Sequence, residues 1–472
     1  MVLDTLAENK TQYQLNSSIF RAYDIRGIVG ETLQYTDVVN IANGLAHLLN
    51  DAGQTQLVVG RDERLSSPDI TQSLVQHLLA YGIDVIEVGV IPTPVMYFAC
   101  HYLNCPNGVM VTASHNPKDY NGFKVVLNNL PLLPDQIQNW YQLCLKQPIN
   151  ADKQGDYRRY LTINDDYINT IVEDVKLQKS LKIVIDCANG VTGYVAPKLF
   201  EALGCEVISL YDEVDGTFPN HEPDPSVVAN LDDLSHAVIQ NQADIGLAFD
   251  GDGDRVMCLN EKGEVIFPDY LLMLIVGSMA QAYPENFRAI YDIKCTRYLA
   301  DVIRQGGGEP VLCRTGHSFM KLKMREVNAA VGAEASGHVF WQDRWFGVDD
   351  GLYTGARVLE ILSQMSEPVS QLMSHYPRGV ATPEFKLTLT EDKKQAFMQE
   401  FTEKAQFPGA NLITIDGIRL EFDYGWGLIR VSNTSPSLTF RFEADTQEQL
   451  EGIQQMVREQ ILALNPDLEL PF

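Results

Sequence analysis

Short apolar runs rich in β-branched residues alternate with longer stretches of helical periodicity along most of the chain. The strand-like runs lie at 56–60, 84–90, 108–113, 181–187, 206–211, 244–249 and 288–293. Between them, 67–82 and 191–204 have the apolar spacing of amphipathic helices. This alternation predicts α/β units built around mixed, mostly parallel sheets.

The pattern changes near residue 378. Four strand-like segments and a final helical stretch follow, which predicts an α+β unit; they lie at 385–390, 418–423, 426–432, 437–445 and 446–464. Changes of composition near 150–163, 260–268 and 376–384 then divide the chain into four predicted domains. Their expected bounds are 1–162, 163–264, 265–377 and 378–472.

The longest apolar run, 270–280, is interrupted by Gly277. It is shorter than the roughly 20 residues that cross a bilayer, so we expect a buried helix and no membrane partner. The first ten residues contain acidic side chains and no long apolar stretch, which argues against a secretory signal and for a cytoplasmic location.

Three predicted strands run into polar, glycine-containing loops: GVMVTASHNP (108–117), IGLAFDGDGDR (245–255) and AAVGAEASGH (329–338). Open parallel sheets bind ligands beyond the carboxyl ends of their strands. One such loop occurs in each predicted α/β unit, so we expect the three loops to line one cleft.

The chain of 472 residues has a formal net charge of −26, which argues against a nucleic-acid partner. An anionic substrate would need local cations against this background. The eight cysteines form no C-x-x-C pair, so buried free thiols are expected rather than disulfides or a zinc site. We expect a monomer or a weak homo-oligomer.

The loop DGDGDR contains three alternating aspartates, Asp250, Asp252 and Asp254. Carboxylate oxygens select hard cations such as Mg²⁺, Mn²⁺ or Ca²⁺. The spacing also begins an EF-hand, but Arg255 occupies the position that needs glycine, and a strand precedes the loop. Arg255 would instead suit a phosphate oxygen. The structural alternative is an Asp-Gly hairpin turn.

Ser114 follows a strand in a loop without the G-x-S-x-G pattern of an acyl-transfer serine. Beside a divalent cation, such a serine can carry a phosphoryl group, and His115 and Lys124 lie close to it in the sequence. The alternative is a capped helix start.

The loop GAEASGH offers Glu334 and Ser336 for neighbouring sugar hydroxyls and His338 for proton transfer, unless it is only a polar cap. The segment 430–438 combines a guanidinium with hydroxyl and amide groups, and this combination suits a phosphate monoester. The residues that carry these groups are Arg430, Ser432, Asn433 and Thr434. A β-turn is the alternative there. Further groups expected near a substrate are Tyr23, Arg26, Lys294 and His317.

Together these loops resemble the α-D-phosphohexomutase family, and most closely its bacterial phosphomannomutase/phosphoglucomutase branch. The matching segments, which run from residue 20 to residue 444 in the order of the family, are FRAYDIRGIVG, VTASHNPKDYNGFK, AFDGDGDRV, GAEASGHVF and RVSNTSPSLTFRFEAD. The resemblance implies three related α/β domains and a C-terminal α+β domain around a central cleft.

The resemblance also implies the chemistry: interconversion of hexose 1-phosphate and hexose 6-phosphate through a phosphoserine, Ser114, and a hexose 1,6-bisphosphate. The three aspartates and the Ser114 phosphate would bind one Mg²⁺. The implied catalytic residues are Arg26, His115, Lys124, Arg255 and His338. Sugar and phosphate contacts would come from Tyr23, Lys294, His317, Glu334, Ser336, Arg430, Ser432, Asn433 and Thr434.

Gly253 and Ala335 favour the mannose/glucose branch over the similar phosphoglucosamine branch, which usually differs at both positions. Three other functions remain possible at this stage: a phosphoglucosamine mutase, a metal-dependent phosphatase and a non-catalytic calcium-binding protein.

Overall fold

The computed structural model describes residues 15–282, 287–432, 435 and 437–472. Four sheets with their helices follow one another along the chain, and we call them the first to fourth units. The first three combine parallel and antiparallel strands, whereas the fourth is antiparallel throughout. The predicted fold class is therefore confirmed.

The first unit has seven strands in the order β1-β5-β4-β2-β3-β7, with β6 beside β5. Its strands are β1 (Ile25–Ile28), β2 (Gln56–Arg61), β3 (Asp84–Val90), β4 (Gly108–Val111), β5 (Tyr120–Leu127), β6 (Leu130–Pro131) and β7 (Tyr157–Arg159). Its helices are α1 (Asp37–Asp51), α2 (Ser67–Ala80), α3 (Thr93–Tyr102) and α4 (Pro134–Cys144).

The second unit has the strand order β12-β11-β10-β8-β9, with β10, β8 and β9 parallel. Its strands are β8 (Lys182–Asp186), β9 (Glu206–Leu210), β10 (Ile245–Phe249), β11 (Val256–Asn260) and β12 (Val265–Ile266). Its helices are α5 (Ile163–Asp174), α6 (Ala196–Ala202) and α7 (Asp232–Asn241). A 3₁₀ turn, Val191–Tyr194, begins the stretch predicted as one helix over 191–204, and α6 follows it.

The third unit repeats this plan with the order β14-β13-β15-β16-β17, in which β14, β13 and β15 are parallel. Its strands are β13 (Arg288–Asp292), β14 (Glu309–Cys313), β15 (Val331–Ala333), β16 (Val339–Trp341) and β17 (Val348–Asp349). Its helices are α8 (Pro268–Ala282), α9 (Tyr298–Gln305), α10 (His317–Val327), α11 (Gly351–Ser363) and α12 (Val369–Ser374).

The fourth unit has the order β18-β23-β22-β21-β20, with β19 also paired to β23. Its strands are β18 (Val380–Ala381), β19 (Phe385–Thr388), β20 (Asn411–Ile413), β21 (Ile418–Phe422), β22 (Gly425–Val431) and β23 (Ser437–Ala444). Two helices, α13 (Glu391–Lys404) and α14 (Gln447–Leu464), pack against the sheet.

One continuous apolar core joins the first three units, whereas the fourth unit has a core of its own. Aromatic rings connect the units within the shared core: Phe98 of the first stacks on Trp345 of the third, which stacks on Tyr353. Burial of so much common apolar surface fixes the relative positions of the three α/β units. The fourth unit instead docks through a small apolar cluster around Ile293 and Trp426.

The apolar run 270–280 lies within α8, and most of its side chains are buried, as predicted. None of the helices within the described ranges is both long and apolar enough to cross a membrane. All eight cysteines are free, and seven of them are buried, which confirms the expectation of buried thiols.

Candidate active site

The three polar loops lie in equivalent places in the first three units. Each follows a strand with parallel partners (β4, β10 and β15) and leads into the neighbouring antiparallel strand (β5, β11 and β16). We name them the serine loop (112–119), the aspartate loop (250–255) and the sugar loop (334–338). The aspartate loop thus connects two strands, so the EF-hand alternative, which needs flanking helices, is wrong.

The structure brings these loops together, as expected from their places in the sheets. The Ser114 hydroxyl donates to Asp250 Oδ2 at 2.8 Å, which joins the serine and aspartate loops. His338 Nε2 lies 3.3 Å from Asp254 Oδ1, and Val256 N–H donates to Gly337 O at 3.1 Å, which joins the aspartate and sugar loops.

Ser114 is almost fully buried and has a left-handed backbone, with φ of 53°. Its N–H donates to Thr112 Oγ1 at 2.9 Å, and its Oγ lies 3.2 Å from His115 Nδ1. Non-glycine residues in this conformation cost about 1–3 kcal/mol and cluster at functional sites. The surroundings therefore hold the Ser114 hydroxyl in one direction, toward the aspartates.

The side chains of Asp250, Asp252 and Asp254 are completely buried, and each offers an oxygen within 4.8 Å of the others. Lys124 Nζ donates to Asp252 Oδ2 at 2.7 Å and also contacts Asp254 Oδ2, while Thr93 Oγ1 donates to Asp252 Oδ2 at 2.6 Å. Within the described part of the chain, Asp252 Oδ1 is buried without a hydrogen-bond partner, whereas Asp254 Oδ1 faces His338 Nε2 at 3.3 Å. This set of oxygens can hold a hard cation.

Asp250 and Asp254 of this loop differ in their pKa values. Burial, followed by repulsion from Asp254 and Asp252, raises the pKa of Asp250 well above its ordinary value. Burial also raises the pKa of Asp254, but Lys124 and His338 outweigh it and hold that pKa well below the ordinary value. The cationic groups Lys124, His338 and Arg255 thus stabilise the charge of Asp254 more strongly than that of Asp250.

His338 lies between two carboxylates, with Nδ1 2.8 Å from Glu334 Oε2 and Nε2 facing Asp254. Burial and Arg255 lower the pKa of His338, but the two carboxylates outweigh them and raise it to about 9. The neighbouring His317 differs, because burial, Lys321 and His338 lower its pKa well below the ordinary value. The site therefore contains one imidazole with a raised pKa, His338, and one with a lowered pKa, His317.

Glu334 fixes the sugar loop against the start of α10. Its Oε1 accepts the Gly316 N–H at 2.5 Å, and Ser336 Oγ lies 3.1 Å from His338 Nδ1. Gly316 has φ of 133°, and a Cβ there would stand 2.8 Å from the Tyr23 ring. Tyr23 in turn packs edge-on against His317. Glu334, Ser336, His338, His317 and Tyr23 therefore form one cluster.

The predicted phosphate segment is described only in part. Arg430 is buried and donates from Nε to Asp416 Oδ2 at 3.0 Å, and Ser432 is buried beside it in the chain. Asn433 and Thr434 lie outside the described residues. Lys294, on the loop after β13, reaches Glu384 Oε2 of the fourth unit at 3.2 Å.

Arg26 and Arg255 complete the positive side of the cleft. Arg26 donates to Ala113 O at 3.3 Å and to Asn116 Oδ1 at 2.5 Å, so it lies against the serine loop. Arg255 Nε lies 3.2 Å from His338 Nε2. Both arginines are partly exposed and can therefore reach a ligand.

Sequence reasoning missed two residues that position the site. Arg64 is completely buried and donates to three carbonyls of the serine loop, those of Ser114, Asn116 and Pro117. Thr93 holds Asp252 through its side chain, as above, and its N–H donates to Asp252 O at 2.8 Å. Each lies in a segment without an unusual composition, so only the fold relates it to the loops.

The comparisons with known proteins cover nearly the whole chain. Models of the phosphoglucomutase/phosphomannomutase domains match in order: α/β/α domains I, II and III over residues 17–147, 165–263 and 267–378, and the C-terminal domain over 384–460.

Among similar proteins, the phosphomannomutase/phosphoglucomutase of Pseudomonas aeruginosa is 46% identical over 97% of this chain and 98% of its own. The phosphoglucomutase of Neisseria meningitidis serogroup A is 45% identical over 96% of this chain and 98% of its own. The crystal structure of a phosphoglucomutase/phosphomannomutase family protein from Burkholderia thailandensis superposes with a TM-score of 0.91 at 42% identity. It covers 97% of this chain and 100% of that one. The chain therefore belongs to the phosphoglucomutase/phosphomannomutase family of α-D-phosphohexomutases, and it is a hexose-phosphate mutase.

Proposed function

We propose that this mutase interconverts the 1-phosphate and 6-phosphate of mannose, glucose or both, with Ser114 as the phosphoryl carrier. The observation that carries the proposal is the Ser114 hydroxyl, buried 2.8 Å from Asp250 of the aspartate loop, which in turn contacts the sugar loop. No other serine in the described residues combines a left-handed backbone with a carboxylate cluster of this kind.

The ligands for a Mg²⁺ would be Asp250, Asp252, Asp254 and the phosphate on Ser114. Asp252 has a buried oxygen without a hydrogen-bond partner among the described residues, and such an oxygen is available to a cation. When bound, Mg²⁺ supplies neutralisation of the charge on the transferring phosphoryl group. Lys124 forms ion pairs with Asp252 and Asp254, and Arg255 lies 3.9 Å from Asp250 at the end of the loop. Both cations would stabilise the transferring phosphoryl group.

The reaction then consists of two transfers in opposite directions. In the first, the bond between phosphorus and Ser114 Oγ breaks while a bond forms to the free hydroxyl oxygen of a hexose monophosphate. The proton of that hydroxyl passes to a base in the site, and Ser114 Oγ takes up a proton as the phosphoryl group leaves it. His338, the predicted base, has a pKa of about 9 and is therefore protonated at neutral pH, so we propose that it acts as the proton donor to the leaving oxygen. The resulting hexose 1,6-bisphosphate turns over within the cleft.

In the second transfer, the other sugar–phosphate bond breaks, its phosphoryl group returns to Ser114 Oγ, and the sugar oxygen regains a proton. Glu334 and Ser336 would orient the sugar hydroxyls, with Tyr23 and His317 beside them. Arg430, Ser432, Asn433, Thr434 and Lys294 would hold whichever phosphate is not reacting. Arg26 and His115 would contact the phosphate on Ser114.

A Ser114→Ala variant tests the carrier role. With glucose 1-phosphate, Mg²⁺ and trace glucose 1,6-bisphosphate, we expect turnover to fall by at least about 10³-fold, because the variant lacks the hydroxyl that carries the phosphoryl group. Ser180→Ala, which removes an exposed hydroxyl far from the loops, is the matched control. Turnover of Ser114→Ala near that of the control would refute the proposal.

Intact mass measured before and after incubation with the bisphosphate should show the gain of one phosphate, mapped to Ser114. A comparison of kcat/KM for mannose, glucose and glucosamine phosphates separates the proposed sugars from the phosphoglucosamine alternative. Release of inorganic phosphate instead of isomerisation would indicate the phosphatase alternative.

A further inference from the structure

Two carboxylates of the fourth unit contact the two cations that the proposed function assigns to the non-reacting phosphate. Glu384 pairs with Lys294 at 3.2 Å, and Asp416 pairs with Arg430 at 3.0 Å. Both cations are thus neutralised by the protein itself. An incoming phosphate must therefore either share these cations or displace a carboxylate.

The two carboxylates differ in how firmly they are held. Asp416 Oδ2 also accepts the Thr315 N–H at 3.1 Å, and only 8% of the Asp416 side chain is exposed. Arg430 Nη2 is buried and has no hydrogen-bond partner within the described ranges, so part of the guanidinium remains available while Asp416 holds Nε. Asp416 is therefore a fixed partner that orients Arg430.

Glu384 has the opposite properties. Its side chain is 29% exposed, and within the described part of the chain its hydrogen-bonding and ion-pair partner is Lys294 alone. It directly precedes β19, in the short loop that follows β18. The Lys294 side chain is only 13% exposed, so the carboxylate contributes to its burial.

The surrounding charges keep Glu384 ionised. Burial raises the pKa of Glu384, but Lys294 and Arg430 outweigh it and lower the pKa below its ordinary value. The carboxylate therefore carries the same sign of charge as the phosphate of a sugar phosphate. A carboxylate and a phosphate cannot both occupy Lys294 without mutual repulsion.

We propose that Glu384 is a displaceable counter-ion for Lys294, which gives way when the substrate phosphate binds and returns when that phosphate leaves. This inference rests on the proposed function, because it assumes that Lys294 binds phosphate. A phosphate that must compete with Glu384 is held less tightly. The proposed turn of the bisphosphate requires such a hold, since each phosphate must leave this region once in every cycle.

The test uses Glu384→Gln, which keeps the size of the side chain and removes its charge. Calorimetric titration with glucose 6-phosphate, in a Ser114→Ala background that prevents turnover, should give a Kd lower by roughly fivefold, as expected for loss of one partly exposed ion pair. Asp445→Asn is the matched control, because Asp445 pairs with Arg297 at the same interface but outside the phosphate region. It should leave the Kd unchanged.

A Kd for Glu384→Gln that is equal to or higher than that of the parent would overturn the inference, provided that Lys294→Met raises the Kd. If Lys294→Met binds glucose 6-phosphate as tightly as the parent, the assigned role of Lys294 and the inference both fail. The carrier role of Ser114 is tested separately and would stand. Glu384→Ala should reproduce the result for Glu384→Gln, and thermal melting should show that each variant is folded.

Discussion

Thr93 contacts the aspartate loop although it lies 159 positions from Asp252 in the chain. Its hydroxyl and Lys124 both donate to Asp252 Oδ2, which leaves Oδ1 as the buried oxygen without a partner among the described residues. Residues that hold a metal ligand in this way typically affect metal affinity as strongly as some ligands do. At the scale of single residues, the proposed cation site thus depends on side chains that would not contact the cation.

A Thr93→Val variant should therefore bind Mg²⁺ roughly tenfold more weakly than the parent, because Asp252 loses a hydrogen bond that fixes its orientation. Thr93→Ser keeps the hydroxyl and should bind normally. The affinity for Mg²⁺ is measured by calorimetric titration of the substrate-free protein. Equal affinities for the valine and serine variants would contradict the role of the hydroxyl.

At the scale of elements, the turn after β8 packs directly against the aspartate loop. Ala188 and Asn189 have left-handed backbones, and Val191 N–H donates to Gly251 O at 3.2 Å. A Cβ on Gly190 would stand 2.6 Å from Gly251 O, closer than any carbon can approach. The absence of a side chain at Gly190 is thus what allows the two turns to touch.

Gly190→Ala should displace the aspartate loop by several tenths of an ångström and lower kcat by about 10- to 100-fold, since small misplacements of reacting groups have effects of this size. Gly452→Ala is the control, because a Cβ there meets no atom within 4 Å. Steady-state kinetics at saturating Mg²⁺ makes the comparison. Full activity of Gly190→Ala would mean that the aspartate loop tolerates the shift.

At the scale of the whole molecule, the fourth unit is attached differently from the other three. Arg419 is almost completely buried, lies over the Trp426 ring, and donates to Ile293 O at 2.6 Å and to Cys295 O at 2.8 Å. These carbonyls flank Lys294, so one arginine of the fourth unit fixes the backbone of a proposed phosphate ligand in the third. Besides the small apolar cluster around Ile293 and Trp426, the contact between the third and fourth units contains charged pairs such as Arg297 with Asp445.

Arg419→Leu should lower the melting temperature and raise the KM for hexose phosphate by roughly tenfold or more. The reason is that it leaves two buried carbonyls unpaired, at a cost of about 1–3 kcal/mol each, and frees the loop that contains Lys294. Arg458→Leu, which removes a contact within the fourth unit, should leave KM unchanged. An unchanged KM for Arg419→Leu would contradict this prediction, because it would mean that substrate binding does not depend on the contacts of Arg419 with the third unit.

The sequence alone indicated most of the fold and the chemistry of the loops. The alternation of apolar runs predicts the α/β units because burial of one face imposes the periodicity of strands and helices. The run DGDGDR indicates a hard cation because three carboxylates so close together repel one another unless a positive charge joins them. The position of each loop after a strand indicates one shared cleft, and the structure brings Ser114, Asp250 and His338 together there.

Only the tertiary structure decided which distant residues hold these loops. Thr93, Glu384 and Asp416 make contacts between units, and Arg64 joins two loops of the first unit. Each lies in a segment whose local pattern is that of an ordinary helix start, loop or turn. The physical reason is that periodicity records only whether a side chain is buried. Which partner a buried charge or hydroxyl meets depends on how separate sheets pack, and that packing is a property of the whole chain.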